Sequence, residues 1–169
     1  MSDEGNDMRG ELIERMKCVF GADERRINHA LRVLGYAEEI MGVHGGDAVV
    51  IRAAAVLHDI GIQEAEKKHG SSAGRYQEIE GPSIGQKIME ELGMDAGRVE
   101  HACRIIASHH SANDIDTLEF RTIWDADWIV NIPEVWPNKS GEELQRAIEK
   151  TLRTERGRRV AVGIHCKTS

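Results

Sequence analysis

Cysteine, proline and aromatic residues are scarce in this chain of 169 residues: three Cys, three Pro, and aromatics at 4%. Cys18, Cys103 and Cys166 are far apart, odd in number and in no CxxC arrangement, so neither a disulfide framework nor a cysteine metal site is indicated. Basic residues are outnumbered, 22 Lys and Arg against 29 Asp and Glu, for a net charge of −7. That balance argues against a broad surface for a phosphate backbone, although a small local basic pocket for one phosphate is compatible with it. No segment reaches the roughly 20 apolar residues that span a membrane. The acidic start, MSDEGNDMRG, has neither the basic region nor the apolar run of a secretory signal, which makes the cytoplasm the default location. Strand alternation, internal repeats and low-complexity tracts are also lacking.

What remains is helical periodicity in a chain that is 40% apolar and 30% charged, a length that suits one domain with a substantial core. The expected architecture is all-α: a disordered leader over 1–7, a single helical bundle over 8–162, and a tail over 163–169. The apolar spacing predicts helices from Met8 to Phe20, from Glu24 to Met41 behind an Asp23 cap, and from Asp47 toward Gly61. Gln63–Lys68 reads as a helical turn, and His69–Arg75 as a loop. Pro82 should open a helix to Leu92, followed by Ala96–His109, Thr117–Ile132 and a long terminal helix from Glu142 to Val162. In that last helix the charge run Glu155–Arg159 reads as a solvated face, and a second copy could pair along it as a homodimer.

The chain is organised around Val49–Gly61, an apolar, alanine-rich helix that ends in His58-Asp59. A histidine and a carboxylate at the end of a buried helix need partners. A metal ion is one; a plain His-Asp hydrogen bond is the other. Helical bundles assemble ligands from separate helices, and the candidates here are His29, His58, Asp59 and one acid of Asp125-Ala126-Asp127. The last two acids point about 200° apart on a helix, so only one of them should face a given ion. Spacing does not choose between them.

The order of these residues resembles the HD superfamily of metal-dependent phosphohydrolases. The resemblance rests on His29, the LHDIG string at Leu57–Gly61, the IIASHH helix end and the WDADW string at Trp124–Trp128, and it covers roughly His29 to Ile129. It implies His29, His58, Asp59 and Asp125 as ligands, since the first acid of the DAD string is the one the family pattern selects. The implied cofactor is one divalent metal ion, with Mn, Fe, Co or Ni favoured by the mixed N/O set and Zn or Mg as alternatives. Gln77 stands where two-metal members carry a histidine, which argues against a complete dinuclear centre. Ile62 replaces a Lys of some phosphodiesterases, and the GYP region of the cyclic-dinucleotide branch is missing.

The resemblance implies hydrolysis of a small phosphorylated molecule, a phosphate monoester and in one version a nucleotide, by metal-activated water. Asp59 is a ligand that could also accept the water's proton. Lys68 and Arg75 are the first candidates to stabilise phosphoryl charge, Arg26 the next, and His110 or His69 a proton donor or phosphate contact. Trp124, Trp128, Trp136 and Tyr76 could stack on a base, or simply pack. A phosphomonoesterase is favoured over a phosphodiesterase. The alternatives are a cyclic phosphodiester or pyrophosphate hydrolase, a metal-containing regulatory domain that binds a phosphorylated ligand without turnover, and a metal-free structural bundle.

Overall fold

The computed structural model describes residues 4–166, which form nine helices and no strand. They are α1 (Glu4–Phe20), α2 (Glu24–His44), α3 (Ala48–Leu57), α4 (Ile62–His69), α5 (Gly74–Glu91), α6 (Ala96–Ile106), α7 (Leu118–Val135), α8 (Gly141–Thr151) and α9 (Glu155–His165). The all-α expectation holds, and no helix among the described residues is long and apolar enough to cross a membrane. Helix α1 starts before Met8 and α9 runs to His165, so residues 4–7 and 163–165 are helical rather than leader and tail. The expectations for 1–3 and 167–169 fall outside the described residues.

Helix α3 is the axis. Its Ala53, Ala54 and Ala55 are fully buried, and their small side chains let α1, α2, α6 and α7 close around it. Asp47 caps it by accepting the Val49 and Val50 N–H groups. The one long polar side chain, Arg52, escapes to Glu38 of α2 at 2.9 Å. Glu38 is also gripped by Arg9 of α1 at 2.8 and 3.0 Å, so one carboxylate ties the first three helices together.

The helical turn expected over Gln63–Lys68 is part of α4, and the loop expected over His69–Arg75 is shorter, spanning 70–73. The stretch forms a helical hairpin in which left-handed Gly70 (φ 64°) ends α4 and α5 begins at Gly74. Glu80 of α5, almost buried, accepts Lys68 Nζ at 2.8 Å and His69 Nε2 at 2.9 Å, which locks the end of α4 onto α5. Pro82 lies inside α5 instead of opening a helix. The helix continues through it because packing against α4 and α6 on either side outweighs one missing backbone bond. At the crossing of hairpin and α3 turn, Gly61 meets Gly81 backbone to backbone: a Cβ on Gly61 would collide with Gly81 and lie 3.0 Å from the Gln77 carbonyl oxygen.

Helix α6 stops at Ile106, so His109 and His110 sit in the turn after it rather than in its last turn. The expected single terminal helix is broken at Leu152–Thr154 into α8 and α9. Here the Arg153 and Thr154 N–H groups leave the helical pattern and donate to the Asp125 carboxylate, both at 2.7 Å. Thr154 then caps α9 by accepting the Gly157 N–H.

Candidate metal centre

The packing of α3 between α2 and α7 brings three elements to one point. His29 comes from the middle of α2, His58 and Asp59 from the turn that ends α3, and Asp127 from α7. His29 Nε2 and His58 Nε2 are 3.3 Å apart, and Asp59 Oδ2 lies 3.4 Å from each. Asp127 Oδ1 lies 3.0 Å from His29 Nε2 and 3.5 Å from His58 Nε2. Bonds of about 2.1 Å around a divalent ion set ligand-to-ligand edges of about 3.0 Å in an octahedron and about 3.4 Å in a tetrahedron, so these spacings fit such an ion.

The tautomer of His58 supports the same use. Its Nδ1 lies 2.8 Å from the Ala55 carbonyl, which can only accept, so Nδ1 carries the hydrogen and Nε2 of the neutral ring presents a lone pair to the site. His58 is fully buried. Burial opposes its positive form, yet Asp59 and Asp127 outweigh that and raise its pKa well above the ordinary value. Burial likewise opposes the negative form of Asp59, but His58 and His109 hold its pKa well below the usual range. For Asp127, His29 and His58 do the same. The carboxylates therefore stay charged and able to coordinate. His29, His58 and Asp59 together could hold a metal ion.

The assignment of Asp125 is corrected. Its carboxylate faces the other side of α7, where it accepts Arg153 N–H, Thr154 N–H and the Thr154 hydroxyl at 2.7, 2.7 and 2.6 Å. With its oxygens spent on the α8–α9 elbow it is a structural anchor, and Asp127 takes the position beside the histidines. Asn131, one turn further along α7, donates to Asp127 Oδ1 at 2.9 Å and orients it. Nothing in the periodicity marked Asn131, but its i+4 spacing from Asp127 was readable once that acid was chosen.

The cations also change. Lys68 is held by Glu80 and Glu64, and exposed Arg75 lies 4.6 Å over the Tyr76 ring with its Nη2 donating to the Tyr76 hydroxyl. Neither lines the 380 Å³ cleft above the two histidines; Arg25, Arg26 and Arg32 of α2 do. Arg26 is paired with Glu66 and Asp23, and Arg25 with Glu134. Arg32, one turn after His29, makes no hydrogen bond or ion pair among the described residues. His110 does line the cleft, 3.2 Å from Gln77 Oε1; burial and the neighbouring His109 lower its pKa. His69 is engaged with Glu80 and stacked on Tyr76, and Trp128 stacks on Trp136. None of these rings, nor Trp124, lines the cleft.

The sequence left open whether His109 enters the site, and the structure brings it to Asp59. His109 Nδ1 donates to the Ile106 carbonyl at 2.7 Å, which turns Nε2 to Asp59 Oδ1 at 3.2 Å. Asp59, His109 and His110 form a second group that could hold an ion, sharing Asp59 with the first.

The sequence profile of the HD domain matches residues 26–132, a span that contains His29, His58, Asp59 and Asp127. The chain belongs to the HD domain family. Two solved structures share the HD fold seen here. One, from an uncultured Thermotogales bacterium, is described as a predicted HD superfamily hydrolase: it is 22% identical, with a TM-score of 0.68 over 90% of this chain and 82% of its own. The other is an HD-superfamily hydrolase from Bacillus thuringiensis, 18% identical, with a TM-score of 0.65 over 93% of this chain and 88% of its own. No curated protein matches the chain.

Proposed function

We propose that this HD protein is a metal-dependent phosphohydrolase acting on a small phosphate monoester. The observation that carries the reading is the convergence of His29, His58, Asp59 and Asp127, of which His29, Asp59 and Asp127 line a cleft edged by α2 arginines and His58 lies buried beside them. The two similar structures, both described as HD-superfamily hydrolases, support it. These four side chains would hold a divalent ion, and the chemistry such an ion would supply is an acidified water and a polarised phosphoryl oxygen. The chain itself supplies the rest. Arg32, unengaged and one turn from His29, offers a guanidinium to the phosphoryl oxygens, where fixed cations stabilise the charge that builds on phosphorus. His110, which also lines the cleft, is held neutral by its lowered pKa and can contact a phosphoryl oxygen through a ring N–H. Ile62 and Val130 are the apolar lining, and no Trp, Tyr or Phe is present to stack on a base. That lining favours a monoester with a small or polar alcohol over one that depends on base stacking.

A second reading, a two-ion centre with a pyrophosphate or diester substrate, is favoured by the group Asp59, His109 and His110. Protein purified without chelators, analysed for metal and assayed for phosphate release over a substrate panel, separates the two. About one ion per chain, with monoester turnover abolished in Asp59→Asn, supports the first. About two ions with diester or pyrophosphate turnover supports the second. Bound metal with no release from any compound would refute both and leave a ligand-binding domain.

A further inference from the structure

A cleft of about 560 Å³ lies on the side of α7 away from His29 and His58, between that helix and the α8–α9 elbow. Four cations, Arg121, Lys150, Arg153 and Arg158, face it against a single carboxylate, Asp116. In a chain of net charge −7 this is a local excess of positive charge with no counterpart in the composition.

The cations are held in place. The Arg153 guanidinium lies 4.7 Å over the Trp124 ring and 5.3 Å over Phe120, and the Trp124 indole N–H is tied to the Thr151 carbonyl at 3.1 Å. Arg158 is tethered through Nε to the Leu152 carbonyl at 2.9 Å, and its terminal nitrogens make no hydrogen bond among the described residues. Lys150 has no hydrogen bond or ion pair among the described residues. Asp116 already shows what the cleft takes. It receives Arg121 through two bonds of 2.9 and 2.6 Å and Arg153 through one of 3.2 Å. Arg121 first, and Arg153 after it, bring its carboxyl down to about 2. This one exposed acid engages two of the four cations.

We propose that this cleft is a second anion site, separate from the metal centre, that takes a small, multiply charged phosphoryl compound of the diphosphate type. Guanidinium forks match phosphate oxygens two at a time, and a diphosphate can engage Lys150 and Arg158 while competing with Asp116 for Arg121 and Arg153. The cleft volume is in the range of small-ligand sites. The proposal does not depend on the hydrolase reading. The elbow that carries Arg153 also holds Asp125, two residues from Asp127, so an occupant here touches the segment that anchors α7 beside the metal ligands.

The test is a titration of the full-length, zinc-loaded protein with methylenediphosphonate, whose P–C–P bridge resists hydrolysis. It is followed by calorimetry and by the 1H–15N resonance of the Trp124 indole, assigned with Trp124→Phe. The expected result is a saturable shift of that resonance, with affinity at this site reduced at least about 10-fold in Lys150→Gln/Arg158→Gln. Asp116→Asn, which removes the internal competitor, should tighten binding about threefold or more, a gain that a folding defect cannot mimic. An indole that never moves, with all heat lost in His58→Gln, would place the only anion site at the metal centre and overturn the proposal. Equal affinity in wild type and both variants would overturn it as well. A stronger response to citrate than to the diphosphonate would overturn the phosphoryl assignment.

Discussion

Asp125 and Asp127 stand two residues apart on one helix and have opposite surroundings. Asp125 is closed: two backbone N–H groups and a hydroxyl, all from Arg153 and Thr154, saturate it, and burial raises its pKa. Asp127 is open: it meets two imidazoles and one amide at the floor of a cleft, and its pKa is held low. One acid connects the C-terminal elbow to the bundle, and the other is available to an ion. Chemistry therefore follows the side of α7 on which a carboxylate lies, and the two sides can be perturbed independently.

The largest effect is expected from Asp127→Asn, which should strip the metal and lower metal-dependent turnover well beyond the roughly 100-fold typical of losing an outer-sphere partner. Asp125→Asn should keep its metal. Elemental analysis of the two variants side by side decides this, and the reverse pattern would restore Asp125 as the ligand. Next in size, Asp125→Ala should destabilise the protein by about 3 kcal/mol in urea unfolding, because it leaves buried donors at the elbow unpaired. The same substitution at Asp127, measured with metal removed, should cost far less.

Gly157→Ala should cost about 1–3 kcal/mol by overpacking, since a Cβ there would run into Asp125 and lie 2.8 Å from Thr154 Oγ1. Metal content should be unchanged, and a loss of metal would show that the two sides of α7 are coupled. The smallest effect concerns acid. Burial opposes the charge of Glu38, but Arg9 and Arg52 outweigh it, so its pKa lies below the ordinary range of a glutamate. Its contribution is therefore complete above that range and fades as the pH falls through the lower folded pKa. Denaturant midpoints from pH 5 downward should fall less steeply in Glu38→Gln than in wild type, and identical slopes would exclude this carboxylate from the acid response.

The fold and three of the four residues of the centre were legible in the sequence. The apolar run Val49–Leu57 marked α3, and the His-Asp pair at its end, with His29 on the neighbouring helix, marked the site. The choice between Asp125 and Asp127 was not legible, because it depends on a break at Leu152–Thr154 that local propensity does not announce. Those residues leave the helix to satisfy Asp125, a partner almost thirty positions away. Lys68 and Arg75 were misplaced for a related reason. The polar connection after Gly61, a short helical turn and a loop, was read as free to reach the site, whereas it packs as a helical hairpin in which Glu80 holds Lys68 and Tyr76 holds Arg75. Arg32 had the helical spacing from His29 that would have revealed it.

The contact of Gly61 with Gly81 sets the dimensions of the cleft. Ile62, Ser72 and Gln77 of the hairpin form one of its walls, and the hairpin can lie this close to the α3 turn only because Gly61 carries no Cβ. Any side chain at position 61 would wedge α5 outward from the turn that carries Asp59, widening the opening from the hinge side while leaving every proposed ligand in the sequence. The aperture through which a substrate enters is thus gauged by one absent carbon atom.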